Sequence, residues 1–325
     1  MGACRAVGRV RETLRSTRGC DWMRGAMSQP IPATLLAAAD WQERARVHRE
    51  RAERHTVPAR HRRERGLPHP IADFLFEYYP FSCSLLERWQ PGAGIGLEWD
   101  AAELPSGFSP RWYAVGDGWL AVDPQRLAAA ERQRLAWIAE LLQATLERPP
   151  NFGCHGLHEW AMVFQGASVR HERTLALRLP RHEIDAVVAA LPIRCSHHDA
   201  FRFFAPAARP LNQLQPSLES RVLLEQPGCL HANMDLYKWA AKTLPWTGSD
   251  LLLDCFELAM DLRELDMRAS PYDLSGWDRE PIRIETAEGR KEYETAQKNL
   301  AARARPLRQR LIEVLRQTLA AAGAA

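Results

Sequence analysis

A chain of 325 residues with 46% hydrophobic residues can fill one large domain or two modest ones and needs no disulfide staple to hold a core. The seven cysteines, at 4, 20, 83, 154, 195, 229 and 255, make no C-x-x-C pair, which argues against a zinc knuckle or a redox dithiol and suits reduced thiols in a cytoplasmic protein. No apolar run approaches the roughly 18 residues of a membrane helix, and the Arg-rich start lacks the apolar stretch of a secretory signal, so a soluble protein with no membrane partner is expected.

The net charge of +3 is unevenly spread. Residues 1–66 carry fifteen Arg and no Lys against seven acids, so the remainder is net negative. A basic arm of this kind suits phosphate, and DNA is the partner it suggests. The segment before Met27 has no apolar period, and Met27 begins a more ordinary start, so residues 1–32 are expected to be a disordered or mis-started basic N-terminal segment. Residues 33–325 are expected to form a single helical catalytic domain.

From Ala33 to Arg65 the pattern is helical, with acids three or four places from arginines. A compact aromatic segment, IADFLFEYYPF, follows, then helical SLLERW and a Pro-Gly-Ala-Gly-Ile-Gly loop that lacks the Lys-Ser/Thr of a phosphate cradle. Apolar β-formers on either side of Gly116-Asp-Gly118 predict a β-hairpin from Arg111 to Val122. A helix is expected from Pro124 to Glu147, capped by Asp123, and a strand from Leu175 to Leu179. Further helices are expected near 181–191, 198–205, 229–243, 249–268 and 286–304, with a last one from Pro306. There is no solenoid repeat. The fold class is mainly α (α+β), a large helical domain with a small hairpin or sheet.

Three segments concentrate polar groups in apolar surroundings: Asn151 to Trp160, Arg194 to Phe204 and Gly228 to Trp239. Each has a stop signal before a helix-like run, placing His158, His197 and His231 near helix N-termini. On a helix, His231 and Asp235 share a face, as do Asp199 and Arg202. Convergence of His158, His197, Asp199, His231 and Asp235 would bind a divalent metal such as Zn, Fe or Mn. The His158-Glu159 doublet does not complete H-E-x-x-H, because Met162 stands where the second histidine belongs. His198-Asp199 matches an HD phosphohydrolase doublet, a short motif of low specificity. The plainer alternative is that these are buried hydrogen-bonded pairs fixing helix packing. Asp254, Glu257, Asp261 and Glu264 form one stripe, expected to be the wet face of their helix.

The strings HPIADFLFEYY, NFGCHGLHEWAM, CSHHDAFRFF with APAARPLN, QPGCLHANMDLYKWA and ELDMRASPYDL resemble a bacterial family labelled 3-methyladenine DNA glycosylase, from about Trp41 to Leu315. The resemblance implies hydrolysis of the N-glycosidic bond of alkylated purines in DNA, a base-excision repair activity. On that reading Asp199, Asp235 or Glu159 faces the oxocarbenium ion, Trp160, Phe201 and Tyr237 stack on the base, and Arg202 and Arg268 hold phosphate. Neither a helix-hairpin-helix with its catalytic Asp nor the helical repeats of other alkylpurine glycosylases are present, so their folds are not carried over. A metal-dependent hydrolase or oxygenase using the His/Asp set is the alternative, and a non-enzymatic nucleic-acid-binding accessory protein is a third.

Overall fold

A computed structural model describes residue 32, residues 34–167 and residues 175–323. The basic N-terminal segment lies outside the described residues except for Pro32. The protein is mainly α-helical with one small sheet.

The sheet comprises β1 (Thr34–Leu36), β2 (Ile95–Glu98), β3 (Tyr113–Gly116) and β4 (Trp119–Val122) in the order β1-β2-β4-β3. The hairpin forms where turn chemistry predicts it, with Gly116 opposite Trp119 and the whole of β4 buried. β1 pairs parallel to β2, an element the helical pattern of the early chain does not announce.

Helix α1 (Ala38–Arg65) buries Trp41, His48, Ala52, Thr56 and Ala59, a stripe spaced at three, four or seven residues, and leaves its arginines outward. It ends where Gly66 takes φ 65°, letting the Leu67 N–H reach back to the Arg62 carbonyl. Several of its arginines are already engaged: Arg62 holds Asp73, and Arg51 holds Asp254 and Glu257. The short helices α2 (Phe74–Tyr78) and α3 (Cys83–Glu87) follow.

Asp123 caps a 3-10 turn at Pro124–Arg126, and α4 (Ala129–Glu147) begins after it rather than at Pro124. Beyond α5 (Leu157–Val163) and α6 (Arg181–Ala190), α7 (His198–Phe201) is shorter than the 198–205 pattern suggests. Phe203 and Phe204 form tight turns, and the Ala205 N–H leaves the helix for the Ala161 carbonyl. The strand expected at Leu175–Leu179 reduces to a single bridge between Leu177 and Tyr272. After α8 (Arg221–Leu224), helices α9 (Leu230–Lys242) and α10 (Ser249–Arg268) pack against each other, and α11 (Ala287–Gly323) lies along both and against α4.

Pro306 does not break α11, although it costs a backbone hydrogen bond. Its buried stripe continues in phase on both sides, through Tyr293, Gln297, Leu300 and Ala304 to Arg308, Leu311 and Leu315. Each fully buried leucine contributes about 1.5–3 kcal/mol, enough together to hold the register through the proline. One hydrophobic cluster runs from Trp41 to Ala322. Among the described residues no helix is long and apolar enough to cross a membrane.

Candidate metal centre

The three polar segments meet in the core between α5, α7, α9 and α10. His158 lies in the first turn of α5, His197 directly precedes α7, and His231 lies in the first turn of α9, as the stop signals indicate.

Local chemistry fixes each entry. Before α5, His155 and Gly156 both take left-handed backbone, φ 47° and 72°, turning the chain sharply into the helix. At 156 a side chain would also press on Ala269 and Tyr293, so glycine is needed twice over. Before α7, the Asn212 side chain accepts from the Cys195 N–H and donates to the Cys195 carbonyl, as a paired strand would. Before α9, the Gln226 side chain accepts from Asn151 N and Gly228 N and donates to Asn151 O, suturing the His158 segment to the His231 segment. Gly228 has no space for a Cβ, which would sit 2.8 Å from Asn151 O.

The three histidine rings pack in series through the core, one pair edge-on and one pair stacked. His158 and His231 have centroids 4.5 Å apart at 87°, and His231 and His197 lie 5.5 Å apart at 28°. The His231 ring lines a narrow cavity. Burial, with His158 and His197 adjacent, pushes its pKa down to about 3, so its ring is neutral and a lone pair is available.

At the inner end, His158, His231 and Asp266 present one donor atom each, all within 4.8 Å of one another. Asp266 is fully buried and His158 is 2% exposed. His158 Nε2 lies 2.9 Å from Asp266 Oδ1; burial lowers the His158 pKa, but this carboxylate outweighs it and raises it well above the ordinary value, although neither atom has an aligned hydrogen-bond partner. Two ligands about 2.1 Å from a shared ion, at right or tetrahedral angles, are about 3.0–3.4 Å apart, close to the observed separation. The other carboxylate oxygen of Asp266 accepts from Arg263 at 2.8 Å. Arg263, 1% exposed, also donates to Glu159 at 3.1 Å and stacks on Phe74 at 3.7 Å. That arrangement orients the carboxylate from behind, as supporting residues do around metal ligands.

At the outer end, His197, Asp199 and Asp235 also bring donor atoms within 4.8 Å. Here the protein supplies its own cations. Lys238 Nζ is 2.6 Å from Asp235 and 3.0 Å from Asp199, and Arg221 reaches Asp235 at 2.9 Å and Glu225 at 2.6 Å. The Tyr79 hydroxyl donates to the remaining Asp235 oxygen at 2.8 Å. Burial opposes ionisation of Asp235, but Lys238, His197 and Arg221 outweigh it and hold the carboxyl well below its ordinary value. Asp199 follows the same logic, with burial overcome chiefly by Lys238.

The five residues expected to hold metal therefore divide between two ends. His158 and His231 join Asp266, which the sequence reading passed over, while Asp199 and Asp235 are neutralised by Lys238 and Arg221. His197 stands between, its Nε2 3.4 Å from Asp235. The residues expected to stack on a base are differently placed. Trp160 is fully buried and donates to Ala269 O, and Tyr237 is fully buried among other rings, so neither has a face open to a ligand. Phe201 packs on Phe204, Arg202 lies over Phe203, and Arg268 donates to Glu280 O far from these groups in sequence. Glu159 is buried against Arg263. Asp266 carried a legible signal: it falls on the same face of α10 as Ala259 and Leu262, inside the apolar stripe and off the wet face of Asp254, Glu257, Asp261 and Glu264.

Comparison with known proteins leaves the centre to be read on its own geometry, since no family model, no curated protein and no solved structure matches the chain.

Proposed function

We propose that this protein is a metal-dependent enzyme in which His158, His231 and Asp266 hold one divalent transition-metal ion. The observation that carries the reading is the contact between His158 Nε2 and Asp266 Oδ1, two buried donor atoms 2.9 Å apart, neither of which has an aligned hydrogen-bond partner. Two histidines and one carboxylate suit zinc, iron(II) or manganese and leave coordination positions for water and a reactant. Held by His158, His231 and Asp266, such an ion would make a coordinated water more acidic, the chemistry that hydrolysis uses. The same ligand set around iron(II) favours oxygen chemistry, and the metal found decides between them.

N-glycosidic hydrolysis, the activity implied by the family resemblance, draws no support from the surroundings of its candidate residues. Glu159, Asp199 and Asp235 each lie against an arginine or lysine, and Trp160 and Tyr237 have no exposed ring.

Elemental analysis of purified protein tests the proposal. About one equivalent of Zn, Fe or Mn is expected, lost in His231→Ala while the circular dichroism of the helices persists. Protein that is metal-free as purified and binds none of the three on titration would overturn it.

A further inference from the structure

A second concavity lies where α1 ends. Gly66 turns the chain out of the helix into Leu67 and Pro68, and a cleft of about 190 Å3 opens between this turn, α2 and Cys83 at the start of α3. That volume is below the roughly 300–1,000 Å3 that encloses a drug-sized molecule, and it suits a ligand of amino-acid size. None of the residues of the metal centre lines it.

Most of the charges around the cleft satisfy one another and fix its walls. Arg62 Nε donates to Asp73 Oδ2 at 2.9 Å, the same oxygen accepts from the His69 N–H at 2.9 Å, and Arg60 pairs with Glu87 of α3 at 2.6 Å. The two other charged residues of the lining, Arg63 and Glu77, are exposed, and their side chains have no hydrogen-bond or ion-pair partner among the described residues. The rest of the lining is chiefly apolar: Ala59 and Phe76 are buried, Cys83 is half-buried, and Leu67 is left 63% exposed. The cleft therefore offers one free cation, one free anion and hydrocarbon. A simple carboxylate would leave Glu77 unanswered, a simple amine would leave Arg63 so, and an uncharged apolar molecule would use neither. A molecule that joins ammonium, carboxylate and hydrocarbon complements all three.

We infer that this cleft binds a free α-amino acid with an apolar side chain, its carboxylate against Arg63 and its ammonium against Glu77. The inference is independent of the metal reading.

Calorimetric titration of the full chain with L-leucine provides the test. Saturable one-to-one binding with a dissociation constant below about 1 mM is expected. 4-Methylpentanoate, which keeps the side chain and carboxylate but lacks the ammonium, and 3-methylbutylamine, which lacks the carboxylate, should each bind more weakly by roughly fivefold or more. Arg63→Gln and Glu77→Gln should each weaken L-leucine binding roughly fivefold and, since both side chains are exposed and unpaired, leave the melting temperature unchanged. No saturable heat with L-leucine, equal affinity for either single-charge analogue, or an unaltered L-leucine affinity in either variant would overturn the inference and leave the metal reading standing.

Discussion

The inner and outer ends of the polar core have nearly the same composition, histidine with aspartate at contact distance, but differ in how their negative charge is met. At the outer end Lys238 and Arg221 sit where a cation would, and Asp235 spends both oxygens on protein donors. At the inner end Arg263 takes only one oxygen of Asp266, and the other faces His158 without an aligned hydrogen. A cluster of ligand-type residues is thus a poor guide to metal until the protein's own cations are counted. The outer set is complete as a buried salt-bridge network, whereas at the inner end the second Asp266 oxygen is met by a histidine alone, whose pKa burial lowers and that carboxylate raises.

The comparison breaks most decisively at Asp266. Asp266→Asn should weaken zinc binding by more than about a thousandfold, since loss of a mere supporting partner already costs about ten- to a hundredfold. Competition with a chromophoric chelator measures this, and equal affinity in the variant would make Asp266 a structural acid like those outside. The next largest effect belongs to the outer end: Arg221→Met leaves Glu225 and Asp235 short of a buried partner and should cost about 3 kcal/mol of stability. Metal content per folded molecule should stay unchanged, so urea melts and elemental analysis on one preparation separate the two ends.

Acid sharpens the contrast further. The folded-state pKa values of Asp199 and Asp235 are depressed, so their contribution is fully present above the unfolded value of about 4 and is lost as pH falls through the folded values. Metal-free protein should begin to lose stability near pH 6.5, where the unfolded chain takes up a proton at His231 that the buried ring refuses, and should lose more below about 4 as these two carboxyls are protonated. In Lys238→Met the Asp235 carboxyl rises toward its ordinary value, and the acid-dependent portion of the curve should shrink. An unaltered acid limb would show that Lys238 does not hold that charge. The smallest effect is expected at Asp199, which is partly open to solvent. Asp199→Asn leaves Lys238 paired with Asp235 and should cost less than about 1 kcal/mol, with metal content intact.

Local signals made much of this legible in the sequence. The hairpin at Gly116-Asp-Gly118 and the limits of α10 follow from turn residues and helical phase, and the positions of His158, His197 and His231 at helix starts follow from the stops before them. Departures arise where tertiary contacts override local pattern. Pro306 reads as a helix start until the buried stripe on both sides is seen to be continuous. Leu175–Leu179 has strand-like composition but finds only one bridging partner. The site divides for the same reason, because spacing puts His231 and Asp235 on one face of α9 but cannot reveal that Lys238, one turn on, claims the acid. Trp160 and Tyr237 lie beside chemistry in sequence and inside the core in space, since large aromatics bury wherever a helix face allows.

The three inner ligands come from α5, α9 and α10, segments far apart in the chain. An ion bound by all three would act as a cross-link, closing two long loops in a single step and narrowing the unfolded ensemble much as a pair of disulfides does. Because the unfolded chain cannot present the three donors together, binding favours only the native state, and the melting temperature would become a function of free metal concentration. A reductant would not sever such a tie, whereas a chelator would.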